Sequence, residues 1–168
     1  MNQTELDQIK QNVENEVNPC KLGWDKLKTE RYSSLSYTTN ATDTVWADGG
    51  TSNKFTSDIL AAWSHALQWS ITGNQANADK AIEILNAWSL SLKCIENKPS
   101  EYIRQEVLVA GWTAQPLAET TELLRYSNAG WDAADIARFE IMLKTIFYPL
   151  IKIIHLKTAT GRPLRLIR

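Results

Sequence analysis

The stretch from Phe55 to Ile95 constrains the fold most, because its apolar residues recur every three or four positions in two consecutive blocks. Each block, 55–71 and 78–92, places its apolar side chains on one side of a helix. Gly73, in the connection between them, can adopt the left-handed conformation that ends a helix. So short a connection predicts that the second helix folds back along the first as an antiparallel hairpin.

The expected limits of these two helices come from capping residues and from proline. Thr56, Ser57 and Asp58 can each accept a hydrogen bond from a free N–H group of a first helical turn. Pro99 cannot continue a helix. We therefore expect the first helix to begin near Thr56 and the second to end before Pro99.

The same hairpin resembles the opening helices of the alginate-lyase-like polysaccharide lyases. The family reads Ala-Leu-x-Trp-x-x-Thr-Gly-Asp at the turn, followed by Ala-x-x-Ile-Leu-x-Ala-Trp-Ser. The chain matches this pattern over 58–74 and 78–89, and Asn74 stands where the family usually has Asp. Further along, 108–126 and 131–149 resemble the next family helices in the same order. The resemblance runs from about Trp46 to Pro149, and it lies in the ordered series of motifs rather than in any single one.

This resemblance implies an all-α fold of antiparallel helical hairpins that form part of an incomplete (α/α) toroid. Residues 1–19 would be an N-terminal helix, because Leu6, Ile9, Val13 and Val17 keep helical spacing before Asn18-Pro19. Residues 20–150 would be the partial alginate-lyase-like domain, in which 20–54 read as a long irregular connection. Residues 151–168 would be an aberrant tail.

The implied reaction is β-elimination at a uronate, which needs a group that neutralises the carboxylate, a base for the C5 proton and an acid for the departing oxygen. The family supplies its first donor from an Asn-Gly-Asn-Trp-Glu segment, which is not found after Pro149. The codons for 157–162 allow that motif in a shifted reading frame, which suggests a frameshifted tail. We assign no catalytic residue, and expect the chain to bind uronate polymers weakly or not at all and not to cleave them.

Substrate contact is assigned to three residues. Trp112 and Gln115 lie just before Pro116, which we expect to bend or split its helix and free backbone groups toward a ligand. Trp46 lies in the long connection, and flat aromatic faces stack on sugar rings. The alternative role of Trp112 is core packing, and that of Trp46 is to pin the long connection to the helices.

Composition limits the other functions. The net charge of −1 gives no basic footprint for nucleic acid or an anionic membrane, and no apolar run reaches the ~18 residues of a membrane span. Acidic residues, His and Cys show no metal-ligand spacing, so we expect no metal and no cofactor. The family usually acts outside the cell or in the periplasm, but the chain begins without a signal-peptide pattern, and its compartment stays open.

Two further points stay open at this stage. The sequence does not say whether Cys20 and Cys94 form a disulfide or are free thiols. The alternative function is a tetratricopeptide-like scaffold for protein partners, although no second copy of the hairpin occurs at a spacing of about 34 residues. In the toroid interpretation, an uncovered apolar edge would favour self-association.

Overall fold

A computed structural model describes residues 3–97 and 104–152. Helices dominate this part of the chain, which confirms the helical class, and a two-stranded parallel sheet is present beside them. The helices are α1 (Gln3–Glu14), α2 (Cys20–Thr29), α3 (Gly50–Thr72), α4 (Gln75–Ser91), α5 (Gln105–Arg125) and α6 (Ala133–Met142), and the strands are β1 (Thr44–Trp46) and β2 (Cys94–Glu96).

Helix α3 begins earlier than its capping residues suggested. The preceding residue is Gly49, and the start expected near Thr56 is wrong by more than one turn. Ser52 and Phe55 are buried, so the extra residues belong to the packed face of the helix. Asp58 is not a cap but a fully buried side chain. The predicted end is confirmed, because Gly73 adopts a left-handed conformation with φ of 68°.

Helices α3 and α4 form the most extensive contact between elements. The start of α3 meets the end of α4, where the rings of Phe55 and Trp88 lie edge to face with centroids 4.6 Å apart. The middle of α3 meets the start of α4, where His65 and Asn77 are hydrogen-bonded. Alanines on both helices are fully buried and keep the two backbones close: Ala61, Ala62, Ala66, Ala78 and Ala81.

The segment 20–54 is not the irregular connection that its polar composition indicated. It contains α2, a 3₁₀ turn over Arg31–Ser33, and β1. Strand β1 pairs in parallel with β2, which begins three residues after Ser91 ends α4. Helix α4 therefore ends well before Pro99. The missed strands are three residues each, too short to show a period in the sequence.

Helix α5 runs through Pro116 without a break, so the expected split is wrong. A proline leaves only the carbonyl four residues earlier without its helical donor, and that residue is the exposed Trp112. Val109, Ala110, Leu117 and Leu124 are buried on both sides of the proline and hold the helix against α3.

Helix α6 starts as expected after Trp131, and the Asp132 side chain caps it by accepting a hydrogen bond from the Ala134 N–H group at 2.8 Å. A π-helical segment, Leu143–Phe147, continues it and brings the ring centroid of Phe147 to 6.1 Å from that of Phe55.

The expected N-terminal helix ends at Glu14 rather than at Asn18-Pro19. The expected aberrant tail, apart from residues 151 and 152, lies outside the described residues. Among the described helices, none is long and apolar enough to cross a membrane.

Candidate functional site

Trp112 and Gln115 lie three residues apart on the exposed face of α5. The Trp112 side chain is 67% exposed, so it is not the core aromatic of the alternative interpretation. Gln115 is also exposed, and its Nε2 atom donates to Glu119 Oε1 at 3.1 Å. Leu108, one turn before Trp112, is 45% exposed. The face therefore offers a flat ring, an amide and an aliphatic side chain to solvent.

Trp46 does not lie on this face. It is half-buried at the end of β1, and its backbone N–H donates to Thr51 Oγ1 at 2.7 Å. Its partner in the sheet is Glu96, and the next residue, Asn97, is hydrogen-bonded to Glu106 in the first turn of α5. Glu106 precedes Trp112 by about 9 Å along the helix axis. The structure thus places Trp46 toward the start of α5 and gives no direct contact with Trp112.

Arg31 and Tyr32 form the pair in the described ranges that comes nearest to elimination chemistry. Arg31 Nη2 donates to the Tyr32 hydroxyl at 2.8 Å, and the guanidinium carbon lies 4.7 Å from the ring centroid. This hydrogen bond, with a second from Ser57, lowers the pKa of Tyr32. A phenol of lowered pKa beside a cation suits a general base. Tyr32 lies within 20–54, the segment that was expected to be an irregular connection.

A buried carboxylate organises the connection before α3. Asp58 accepts hydrogen bonds from the Tyr37 hydroxyl at 2.7 Å, the Asn40 backbone N–H at 2.7 Å and Trp88 Nε1 at 2.8 Å. Burial, followed by the hydrogen bond to Asp58, raises the pKa of Tyr37 far above its ordinary value, so the hydroxyl stays protonated. Asp58 therefore ties the connection to both helices, which is a structural role.

His65 is a second buried polar anchor. Its Nδ1 atom lies 2.8 Å from Asn77 Oδ1, and its Nε2 atom lies 3.2 Å from the backbone oxygen of Ser34. Burial lowers the pKa of His65, so the ring is neutral at physiological pH. A neutral ring has one N–H and can donate to only one of these two oxygens. With no exposed surface, it is unsuited to proton transfer with a substrate.

A cavity of about 560 Å³ lies between α1, the end of α3 and the second half of α5. None of the three predicted substrate residues lines it. Glu119 and Glu122 lie on α5, and their position in a cavity depends on α1 packing opposite them. The lining residues are Gln3, Leu6, Lys10, Trp69, Ser70, Thr72, Gly73, Ala118, Glu119, Glu122, Leu123, Tyr126 and Ser127.

The residues that the structure describes support neither a metal site nor a disulfide between Cys20 and Cys94. Over 3–97 and 104–152, no group of three or more His, Cys, Asp and Glu side chains is placed to hold a metal ion. Cys20 and Cys94 are both free: Cys20 accepts from Asn12 Nδ2 at 3.6 Å, and Cys94 donates to Thr44 Oγ1 at 3.7 Å.

Comparison of the chain with protein-family models, with curated proteins and with solved structures finds no match. The resemblance to alginate-lyase-like enzymes therefore depends on the motifs in the sequence.

Proposed function

We propose that this chain is the N-terminal part of a uronate-polysaccharide lyase of the alginate-lyase type, an (α/α) toroid that acts by β-elimination. In this proposal the chain by itself binds anionic uronate polymers weakly along the exposed face of α5 and does not cleave them. The observation that carries the proposal is the exposure of Trp112, which lies within one of the matching family stretches.

The helix contacts support the toroid part of the proposal. Helix α3 packs on both α4 and α5, and α4 packs on α6. In an (α/α) toroid, successive helical hairpins stand side by side around a ring. Reversal of the chain at Gly73, with the start of α3 beside the end of α4, suits the first hairpin of such a ring.

The chemistry of α5 supports the binding part. A tryptophan side chain that is 67% exposed leaves a large apolar ring in water, which costs free energy unless a ligand covers it. Pyranose rings have C–H-rich faces that stack on such a ring, while the Gln115 amide can hydrogen-bond to hydroxyl or carboxylate oxygens. The buried opposite side of the helix holds this arrangement rigid.

The expected lack of cleavage follows from the groups that the described ranges bring together. Elimination needs a cation at the carboxylate, a base, an acid and donors for the enolate charge. Arg31 and Tyr32 supply a cation and a phenol, but the guanidinium already donates to that phenol. His65 is buried and neutral. No other described side chain completes the set around them.

Affinity electrophoresis tests the proposal. The purified chain is run through gels with and without alginate, beside Trp112→Ala and the control Tyr148→Ala, which removes an exposed aromatic ring outside α5. We expect alginate to retard the chain and Tyr148→Ala alike, and Trp112→Ala to bind about fivefold more weakly. The same samples should release no unsaturated product that absorbs in the ultraviolet. No retardation, or equal retardation of Trp112→Ala, would contradict the proposed binding face.

The alternative function is a helical scaffold for protein partners, and one observation favours it. Four large apolar side chains are exposed on α5 and on the segment from α6 to residue 148: Leu108, Trp112, Ile141 and Tyr148. Such side chains can serve as anchors in a protein interface. A partner that binds the chain, loses affinity with Ile141→Lys and is not displaced by alginate would favour the scaffold over the lyase.

A further inference from the structure

We propose that the cavity between α1, α3 and α5 binds a small organic cation, an ammonium or guanidinium group carried on an apolar body. Trp112 and Gln115 do not line this cavity, although Gln115 donates to Glu119 in its wall, and the proposal does not depend on uronate binding. Its walls come from three helices: Gln3, Leu6 and Lys10 lie on one side of α1, Trp69 on the last turns of α3, and the remaining wall is largely α5.

The charge of the lining selects a cation. Glu119 and Glu122 contribute two carboxylates, and Lys10 is the one basic side chain among the lining residues. Glu119 accepts from Trp63 Nε1 at 3.0 Å and from Gln115 at 3.1 Å. These donors are neutral, so they orient the carboxylate without cancelling its charge. A uronate would meet net repulsion here, whereas a cation would meet attraction.

The hydroxyl groups of the cavity also present acceptors. Ser70, Thr72 and Ser127 each donate the hydroxyl hydrogen to a backbone carbonyl three or four residues earlier, at 2.9, 2.7 and 3.2 Å. A hydroxyl that has used its one hydrogen can offer only lone pairs to a ligand. Thr72 already accepts from the Asn74 N–H and Ser127 from Trp69 Nε1, both at 3.1 Å, so each keeps one lone pair, whereas Ser70 keeps two. The remaining lone pairs complement the N–H donors of an ammonium or guanidinium group.

The rest of the wall is apolar and suits the body of such a ligand. Trp69 is held by its Nε1 donation to Ser127 Oγ at 3.1 Å, and Tyr126 is 73% exposed beside it. Leu6 and Leu123 complete this wall. Aromatic faces attract cations directly, in addition to removing apolar surface from water. The volume of about 560 Å³ lies in the range of small-molecule sites.

Isothermal titration calorimetry with matched probes tests the site. Phenethylammonium and 3-phenylpropanoate have similar apolar bodies and opposite charges. We expect the full chain to bind phenethylammonium with a dissociation constant of about 1 mM and 3-phenylpropanoate at least about tenfold more weakly. Glu122→Gln removes an exposed charge and should weaken phenethylammonium about tenfold. The control Glu83→Gln removes a carboxylate of α4 that is paired with Lys80 outside the cavity, and should leave the affinity unchanged.

Three results would overturn the site: no binding of phenethylammonium, equal binding of both probes, or equal weakening by Glu83→Gln. A second cation, Nα-acetyl-lysine amide, distinguishes the source of the ligand. Weaker binding than phenethylammonium supports a free small molecule, which is our proposal. Tighter binding overturns that part and assigns the cavity to a lysine side chain of a peptide.

Discussion

Loss of the Asp58 carboxylate should destabilise the fold more than any surface change, because three donors lie 2.7–2.8 Å from it and a fourth, Asn40 Nδ2, lies at 3.4 Å. The Trp88 indole N–H is fully buried and would have no acceptor in Asp58→Ala. The Tyr37 hydroxyl and the Asn40 N–H lie nearer the surface, and water can replace part of their lost hydrogen bonds. A buried donor without a partner costs about 1–3 kcal/mol, so the three together should lower the free energy of unfolding by about 4 kcal/mol.

Asp58→Asn separates the lost charge from the lost acceptor. The amide oxygen can still accept from Trp88, and the Tyr37 hydroxyl can reverse its role and accept from the amide nitrogen. We expect a loss of about 1.5 kcal/mol, the difference between charged and neutral hydrogen bonds. The exposed carboxylate of Asp43, paired with Lys93, is the control, and Asp43→Ala should cost less than about 1 kcal/mol.

Urea unfolding followed by circular dichroism measures these differences in the free energy of unfolding. The comparison requires that the slope of this free energy against urea concentration is the same in all variants. The reasoning predicts the order Asp58→Ala, then Asp58→Asn, then Asp43→Ala, from most to least destabilised. Equal losses for the two Asp58 variants would mean that charge rather than acceptor geometry matters. A loss for Asp58→Ala no larger than that for Asp43→Ala would refute the structural role of this carboxylate.

Three further predictions concern other parts of the fold. The pKa of His65 is lowered in the folded chain, so below about pH 6.5 the unfolded state binds more protons than the folded state. The free energy of unfolding should therefore fall as the pH drops from about 6.5 toward the folded pKa. Melting temperatures measured from about pH 8 to about pH 5 should change less in His65→Gln than in the unchanged chain. Gly73→Ala should lower the free energy of unfolding by about 1 kcal/mol, because φ at this position is 68°. Gly111→Ala, inside α5 with open space at the new Cβ position, should raise it by about 0.5 kcal/mol. Urea unfolding should therefore give changes of opposite sign for the two variants. The exposed Leu108 and Trp112 should cause concentration-dependent association in size-exclusion chromatography, which Leu108→Lys should reduce and the control Leu90→Lys, on α4, should not.

The helical parts of the fold could be predicted because helical periodicity is a local property of the sequence. The turn at Gly73 followed from local chemistry, because glycine readily adopts the left-handed conformation that ends a helix. Strands β1 and β2 could not be predicted, since each has three residues and gains its hydrogen bonds from a partner about 50 positions away. Helix α2 was missed although Cys20, Trp24 and Leu27 lie at helical spacing, because it has only ten residues and none of them is buried.

In the candidate sites, too, features that depend on contacts between distant segments could not be predicted from the sequence. Trp112 and Gln115, predicted to contact substrate, are exposed, and their role as substrate contacts stays a prediction. The split at Pro116 on which their selection depended does not occur, because α5 is continuous. The acidic cavity depends on α1 crossing near α5, two segments separated by about a hundred residues in sequence. Glu119 looks like an ordinary surface residue until its hydrogen bond from Trp63, 56 positions away, is known.

The most direct test of the central claim, that α5 presents a uronate-binding face, is the alginate affinity of the chain compared with Trp112→Ala and Tyr148→Ala. The account predicts weak retardation by alginate, none by a neutral polymer of equal size, and loss of retardation in Trp112→Ala alone. Equal mobility of all three proteins in alginate would contradict it.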